Sequence, residues 1–159
     1  MKGNYKLNIL DVLEIEEGFR EKAYLCSEGY ATIGIGTKIH TDKGVDPSKF
    51  CFTVTRQIAG LMLDQELERL YQKLDNQMRG LSYDRKTVLV SMAYQMGITG
   101  LFGFKNMWRA LDTGNFAEAE RQALDSKWAK QTPARATRHA AVLGGRPLED
   151  VYTGLHNGG

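Results

Sequence analysis

The sequence predicts a mainly α fold of the α+β class, with a small N-terminal α/β lobe that carries a short antiparallel sheet. Two observations lead to this prediction. The hydrophobic period changes from about 3.6 residues to about 2 between residues 23 and 36. One long helical pattern then begins near residue 55, and every periodic segment after it is helical. The 159 residues therefore fit a single domain, with lobe 1 at about 15–54, a connecting helix at about 55–79, and a larger all-helical lobe at about 80–155 that includes the N-terminal helix.

The first helix is predicted to begin after Asn8, a residue type that caps helices well, and to end at Gly18. Glu17 then lies at the helix C-terminus, where the negative end of the helix dipole disfavours an ionised carboxylate. A carboxyl group that stays protonated suits a general acid. Taken alone, a glutamate at a helix end is more often a solvated surface residue than a catalytic one.

The segment that follows is predicted to be a hairpin. Glu28-Gly29 is a turn signal, and Thr32-Ile33-Gly34-Ile35-Gly36 alternates small and apolar residues. Glycines in a strand mark either a close approach, such as that of a polymer lying against the sheet, or a bulge at an edge. Residues 37–50 are predicted to be a loop, and residues 51–54 a further short strand.

The second half is predicted to consist of helices separated by glycine-containing turns. Asp84 is expected to cap the first of these helices, and Gly97 is expected to break it. Trp128 is expected to begin a less regular stretch and to pack in a core. Further helices are predicted at 106–111, 116–127 and 134–143.

Composition and charge narrow the functional classes. The chain is 42% apolar and 25% charged, as in an ordinary globular protein, and its net charge of +2 is too small to indicate a nucleic-acid partner. The N-terminus shows neither a signal peptide nor a membrane span, so no stable membrane association is expected. Cys26 and Cys51 match no disulfide framework and no zinc spacing, so two free thiols are expected, with a single disulfide as the alternative.

Three side chains that can act together chemically occur at fixed gaps: Glu17, then eight residues, Cys26, then five residues, and Thr32. Around them the sequence reads Glu-Gly-x-Arg, then Ala-Tyr, then Glu-Gly-Tyr-x-Thr-Ile-Gly-Ile-Gly, and further blocks follow at 94–106 and 128–136. Over about residues 7–140 this pattern resembles the phage lysozymes, or endolysins, of glycoside hydrolase family 24. The resemblance implies a lysozyme-like fold of two lobes.

The resemblance also implies roles for individual residues. Glu17 would be the general acid, Cys26 would act on the water or on the developing oxocarbenium charge, and Thr32 would help to hold the attacking water. Many members have Asp where this chain has Cys26, and some have Cys; a thiol acts best there as its thiolate. Arg135 resembles the arginine that pairs with the catalytic glutamate. The implied substrate-binding residues are Ile35, Gly36, Tyr94, Gln95, Gln122 and Lys127.

The implied activity is that of an N-acetylmuramidase, which hydrolyses the β-1,4 bond between N-acetylmuramic acid and N-acetylglucosamine in bacterial peptidoglycan. Such an endolysin is expected to work as a monomer without cofactor or metal, and to wait in the host cytoplasm until a holin releases it to the cell wall. Two alternatives stand beside it. One is a peptidoglycan-binding domain that has lost catalysis, and the other is a thiol hydrolase pairing Cys26 with His40, His139 or His156, none of which lies in a matching block.

Overall fold

The computed structural model describes residues 6–155, and within that range the mainly α, α+β prediction is confirmed. The elements are α1 (Ile9–Glu17), β1 (Arg20–Leu25), β2 (Tyr30–Gly34), β3 (Thr37–Lys43), a 3₁₀ turn (Pro47–Lys49), α2 (Arg56–Leu74), α3 (Tyr83–Phe102), α4 (Lys105–Asp112), α5 (Phe116–Leu124), α6 (Lys127–Gln131), α7 (Pro133–Gly144) and α8 (Leu148–Tyr152). The three strands form one antiparallel sheet in the order β1-β2-β3.

The chain divides into two compact units. The sheet unit comprises Leu13–Glu68, and the helical unit comprises the residues up to Val12 together with those from Arg69 onward. Both divisions fall inside helices, one in α1 and one in α2, so each of these helices contributes residues to both units. The predicted long helix is present as α2, but it ends at Leu74 and is followed by turns.

The first helix has the predicted ends. The Asn8 side chain accepts hydrogen bonds from the backbone N–H groups of Leu10 and Asp11, at 2.8 Å and 3.2 Å. At the other end Gly18 takes a φ of +77° and its N–H donates to Glu14 O at 2.9 Å. Gly18 closes the helix because a positive φ costs glycine little. Glu17 is therefore the last residue of α1.

The predicted loop at 37–50 is wrong in its first half, which forms β3. In the register of β2 with β3, Thr32 lies opposite Lys38 and Ile33 lies opposite Thr37. This strand shows no alternation of apolar and polar residues in the sequence, because it is an edge strand whose last residues are all exposed. The predicted strand at 51–54 is also wrong, since only one isolated bridge joins Lys22 to Thr53.

Gly34, at the end of β2, serves the packing of the sheet unit itself. Gly34 has a φ of +66°, and a Cβ placed there would lie 2.9 Å from Ala59 Cβ. Ala59 is fully buried in α2, so the bare backbone of Gly34 lets this helix approach the end of β2. At this position the glycine marks a close approach by the chain's own helix.

The helices of the helical unit differ from the predictions mainly at their ends. Ser82 caps α3 instead of Asp84, whose carboxylate accepts from the Leu148 N–H at 3.0 Å, beside the start of α8. Gly97 breaks α3 as predicted, with a φ of 81° and a ψ of 161°. The predicted helix at 116–127 ends at Leu124, because Ser126 caps a separate helix, α6. The five-residue α8 was not predicted.

Within residues 6–155, no single helix has both the length and the apolar character to cross a membrane. Only α3 and α4 taken together satisfy that test, and they are bent by 96° with respect to each other.

Candidate active site

Two of the three predicted catalytic residues meet on the hairpin of the sheet unit. Cys26 directly follows β1, and its backbone N–H donates to Tyr30 O at 3.0 Å across the turn. Thr32 lies in the middle of β2 and is almost fully buried, and its hydroxyl donates to Tyr30 O at 2.9 Å. The Thr32 side chain also acts on the Cys26 thiol and lowers its pKa. The turn chemistry that the sequence predicted therefore brings the thiol and the hydroxyl together.

The environment of Cys26 favours its thiolate. Burial alone would raise the pKa of the thiol, but hydrogen bonds from the Tyr30 backbone, the Thr32 side chain and the Glu28 backbone lower it, as does the positive charge of Lys38. The net result is a lowered pKa. A thiol becomes a useful anion near neutral pH only when its surroundings supply such donors and charges.

Tyr24 connects Cys26 with Glu17 electrostatically. It lies on β1 opposite Thr32. Burial is the main cause of the raised pKa of its phenol; the Arg20 charge lowers that pKa, and the negative charges of Cys26 and Glu17 raise it further. The charges of both Cys26 and Glu17 therefore act on the Tyr24 phenol. The Arg20 guanidinium stacks over the Tyr24 ring, 4.7 Å from its centroid. Glu17 itself is half-buried at the end of α1.

No pattern in the sequence predicted the electrostatic interactions of Tyr24 and Lys38 with the site residues. Tyr24 belongs to the Ala-Tyr block, but nothing in its type or spacing marks it as lying between two acidic groups. Lys38 fell in the predicted loop. The only sequence signal for Lys38 is the two-residue turn Ile35-Gly36 just before Thr37. A two-residue turn that contains glycine is typical of a β-hairpin, so a second strand could be expected to follow it.

The other predicted residue pair in the sheet unit lies just after Thr32. Ile35 is buried, and Gly36 takes a φ of +71° in the turn from β2 to β3. Their predicted contact with sugar stays a prediction.

Four of the predicted binding residues belong to the helical unit, and two of them line one cavity. Gln122 and Lys127 line a cavity of about 390 Å³ together with Trp128. Trp128 is buried, as expected, and its indole N–H donates to Gln95 Oε1 at 2.8 Å. The fourth residue, Tyr94, precedes Gln95 in α3 and is half-buried. The structure therefore places Gln122 and Lys127 in the lining of one cavity with Trp128, whose indole is bonded to Gln95.

Arg135 is a buried residue of α7 whose guanidinium donates to Ser91 O at 3.1 Å and to Ser91 Oγ at 3.0 Å. Ser91 Oγ also lies 2.7 Å from His139 Nε2, and His139 Nδ1 lies 3.0 Å from the Tyr152 hydroxyl. Arg135 is thus held by a buried polar network within its own unit. Its predicted pairing with Glu17 stays a prediction.

The histidines and cysteines are accounted for as follows. His139 belongs to the buried network just described, His40 Nδ1 accepts from the Asp42 N–H at 3.0 Å, and His156 lies outside the described residues. Cys26 and Cys51 are free thiols. Among residues 6–155, no group of three or more His, Cys, Asp or Glu side chains is arranged to hold a metal ion.

Comparison with known proteins assigns this arrangement to a family. The chain is 27% identical over 161 residues to the pre-baseplate central spike protein Gp5 of Enterobacteria phage T4, covering 88% of this chain but only 28% of that protein. It is 27% and 26% identical to probable T4-type lysozymes 1 and 2 of Dictyostelium discoideum, covering 86% of this chain and 93% of each relative. The model of the phage lysozyme family matches residues 14–143, a span that contains Glu17, Cys26 and Thr32 as well as Arg135. The chain therefore belongs to the phage lysozyme family.

Proposed function

We propose that the protein is an endolysin with N-acetylmuramidase activity, cleaving the β-1,4 bond between N-acetylmuramic acid and N-acetylglucosamine in peptidoglycan. The observation that carries the proposal is a set of side chains in the sheet unit that act on one another electrostatically, in a chain that belongs to the phage lysozyme family. The pKa of the Cys26 thiol is lowered, with Thr32 among the causes, and both Cys26 and Glu17 act electrostatically on Tyr24. A carboxylic acid and a second anionic group are what glycoside hydrolysis requires.

In this mechanism Glu17 donates its proton to the glycosidic oxygen as the bond to the anomeric carbon breaks. The thiolate of Cys26 stabilises the positive charge that develops on the sugar or accepts a proton from the attacking water. Thr32 holds that water. The Thr32 hydroxyl is suited to this task because burial and a hydrogen bond to Tyr30 O fix its position on the hairpin that carries Cys26.

Substrate contacts are proposed for both units separately. Ile35 and Gly36 would meet a sugar in the sheet unit. In the helical unit Gln122 and Lys127 would present an amide and an ammonium to the polar groups of peptidoglycan from the cavity beside Trp128, with Tyr94 and Gln95 on α3. The protein would act as a monomer without a cofactor, first residing in the host cytoplasm and reaching the wall through a holin.

The test is the release of new reducing ends from purified peptidoglycan by the parent and four variants. Glu17→Gln is expected to lose at least about 10²-fold in turnover, because no proton reaches the leaving oxygen. Cys26→Ala is expected to be severely impaired, and Cys26→Asp to keep substantial activity because it restores an anion. Cys51→Ser is the matched control, since this second thiol is exposed and hydrogen-bonds only weakly, to Ser48 O and Lys49 O at 3.9 Å and 3.8 Å.

A parent protein that binds peptidoglycan but releases no reducing ends would contradict the proposal and favour a binding domain that has lost catalysis. Activity that survives in Glu17→Gln would contradict the role given to Glu17.

A further inference from the structure

The register of the sheet places Lys38 opposite Thr32, one of the two hairpin residues with a proposed catalytic role. Thr32, at the centre of β2, is flanked by Tyr24 on β1 and by Lys38 on β3. Residues directly opposite each other in an antiparallel sheet project from the same face. Lys38 therefore shares a face with the two side chains that adjoin Cys26.

Two side chains of the same hairpin fix the position of the Lys38 ammonium. Its Nζ lies 2.6 Å from Glu28 Oε2 and 4.2 Å from the centroid of the Tyr30 ring. Glu28 lies two residues after Cys26 in the turn, and Tyr30 O accepts the Cys26 N–H. Both anchors of Lys38 are thus tied to the backbone that places the thiol.

The ion pair has little reason to be there for stability. The Lys38 and Glu28 side chains are 50% and 62% exposed, and exposed ion pairs contribute little to folding. The pair does hold one cation in place on the hairpin that carries Cys26, and the charge of that cation lowers the pKa of the thiol. A hydrogen bond to Glu28 is the main cause of a raised pKa of Lys38, to which the charge of Cys26 also contributes, so the ammonium stays charged while the thiol ionises.

The other charged and titratable groups near Lys38 and Cys26 either oppose thiolate formation or act on a neighbouring residue and not on the thiol itself. Glu28 carries the negative charge that Lys38 offsets, and the raised pKa of the Tyr24 phenol keeps that group neutral near pH 7. The Lys43 ammonium lies over the same Tyr30 ring, 5.3 Å from its centroid, and its charge acts on Glu28. Glu17 and Arg20 act on Tyr24. Within the sheet unit, Lys38 is the cation that acts on Cys26.

We propose that Lys38 is a positioning residue of the active site, which Glu28 and Tyr30 hold in place so that its ammonium favours the thiolate form of Cys26. The proposal rests on the proposed function for the role of Cys26. A carboxyl group at that position would ionise without such help, and a thiol needs it. The positive charge of Lys38 is thus useful at this position because residue 26 is a cysteine and not an aspartate.

The experiment measures the ionisation of Cys26 without any substrate. In a Cys51→Ser background, Cys26 is the sole thiol, and the rate of its alkylation by iodoacetamide is followed from about pH 5 to pH 10. Lys38→Gln is expected to move the midpoint to higher pH and to slow alkylation near neutral pH by up to about tenfold, the factor for one pH unit. Lys38→Arg is expected to restore the parent profile, because the charge is kept.

Lys43→Gln is the matched control, since Lys43 contacts the same ring but is not placed next to the thiol. Its profile should coincide with that of the parent. The difference between the parent and Lys38→Gln should also shrink in about 1 M salt, because the exposed charge is screened. A Lys38→Gln midpoint equal to that of the parent, or an equal shift in Lys43→Gln, would overturn the proposal.

The two proposals can fail independently. If the parent cleaves no peptidoglycan, the proposed function fails, while the alkylation profiles still decide whether Lys38 controls the thiol. If the parent is active, Lys38→Gln should lose activity mainly on the acidic side of the pH profile, where fewer Cys26 side chains are ionised. An unchanged pH profile in an active Lys38→Gln variant would overturn the assignment of Lys38.

Discussion

A thiol and a carboxyl group reach the same charge at very different pH. The ordinary pKa of Asp is about 3.9 and that of Cys about 8.5, so a cysteine at an anionic position depends on its neighbours. Here the neighbours are the Tyr30 and Glu28 backbone groups, the Thr32 side chain and the Lys38 charge. The identity of residue 26 therefore determines what the residues around it must do.

This dependence predicts a pH effect. The lowered pKa means that Cys26 ionises below the usual range of a thiol, and activity that needs the thiolate should rise as pH rises through that pKa. Cys26→Asp should extend activity to lower pH, because an aspartate is already ionised there. Initial rates on peptidoglycan across pH, for the parent and Cys26→Asp, measure the two acidic limbs. Coincident limbs would show that residue 26 does not control them.

Gly34 gives a residue-scale prediction about stability. Gly34→Ala forces a side chain into a φ of +66° and brings its Cβ to within 2.9 Å of Ala59 Cβ. Gly44→Ala is the matched control, because Gly44 has a φ of +75° but a Cβ added there would meet no atom within 4 Å. Both variants carry the backbone cost, and only Gly34→Ala adds overpacking, so it should be the less stable by about 1–3 kcal/mol. Urea denaturation of both variants gives this difference, and equal midpoints would contradict it.

At the scale of elements, the sequence predicted what local signals determine. Gly18 ends α1 and Glu28-Gly29 turns the hairpin because these residues act through their own backbone conformation. β3 was missed because its pairing with β2 determines it, and a polar edge strand carries no apolar alternation. Lys38 was therefore missed as well, since its role follows from the register of that strand. Asp84 could not be distinguished from Ser82 as a cap, because its partner is a distant residue, Leu148.

Helix α5 offers a prediction that can be tested by titration. A hydrogen bond from Arg121, reinforced by one from Gln122, holds the pKa of Glu118 at about 2. Because the folded-state pKa lies below the ordinary value, the contribution to stability is present above about pH 4.3 and is lost as pH falls towards 2. NMR titration of the Glu118 carboxyl should give this low midpoint in the parent and a midpoint near the ordinary value in Arg121→Gln. Arg121→Lys, which keeps the charge, should fall between them.

At the scale of the whole molecule, we predict that the two units unfold in one transition. The divisions between them lie within α1 and α2, so separating the units requires breaking two continuous helices. Helix formation is cooperative, which disfavours a state with half of each helix melted. Far-ultraviolet circular dichroism in urea should therefore show a single transition. Two resolved steps would contradict this prediction.

The partition of the chain also distributes its natural reporters. Trp108 and Trp128 are both buried in the helical unit, whereas Cys26 and Cys51 both belong to the sheet unit. Intrinsic fluorescence is therefore a gauge of one half of the molecule and thiol labelling a gauge of the other, with no dye or engineered tag. Local opening near Cys26 can thus be followed while the tryptophan emission independently records whether the rest of the protein is still folded.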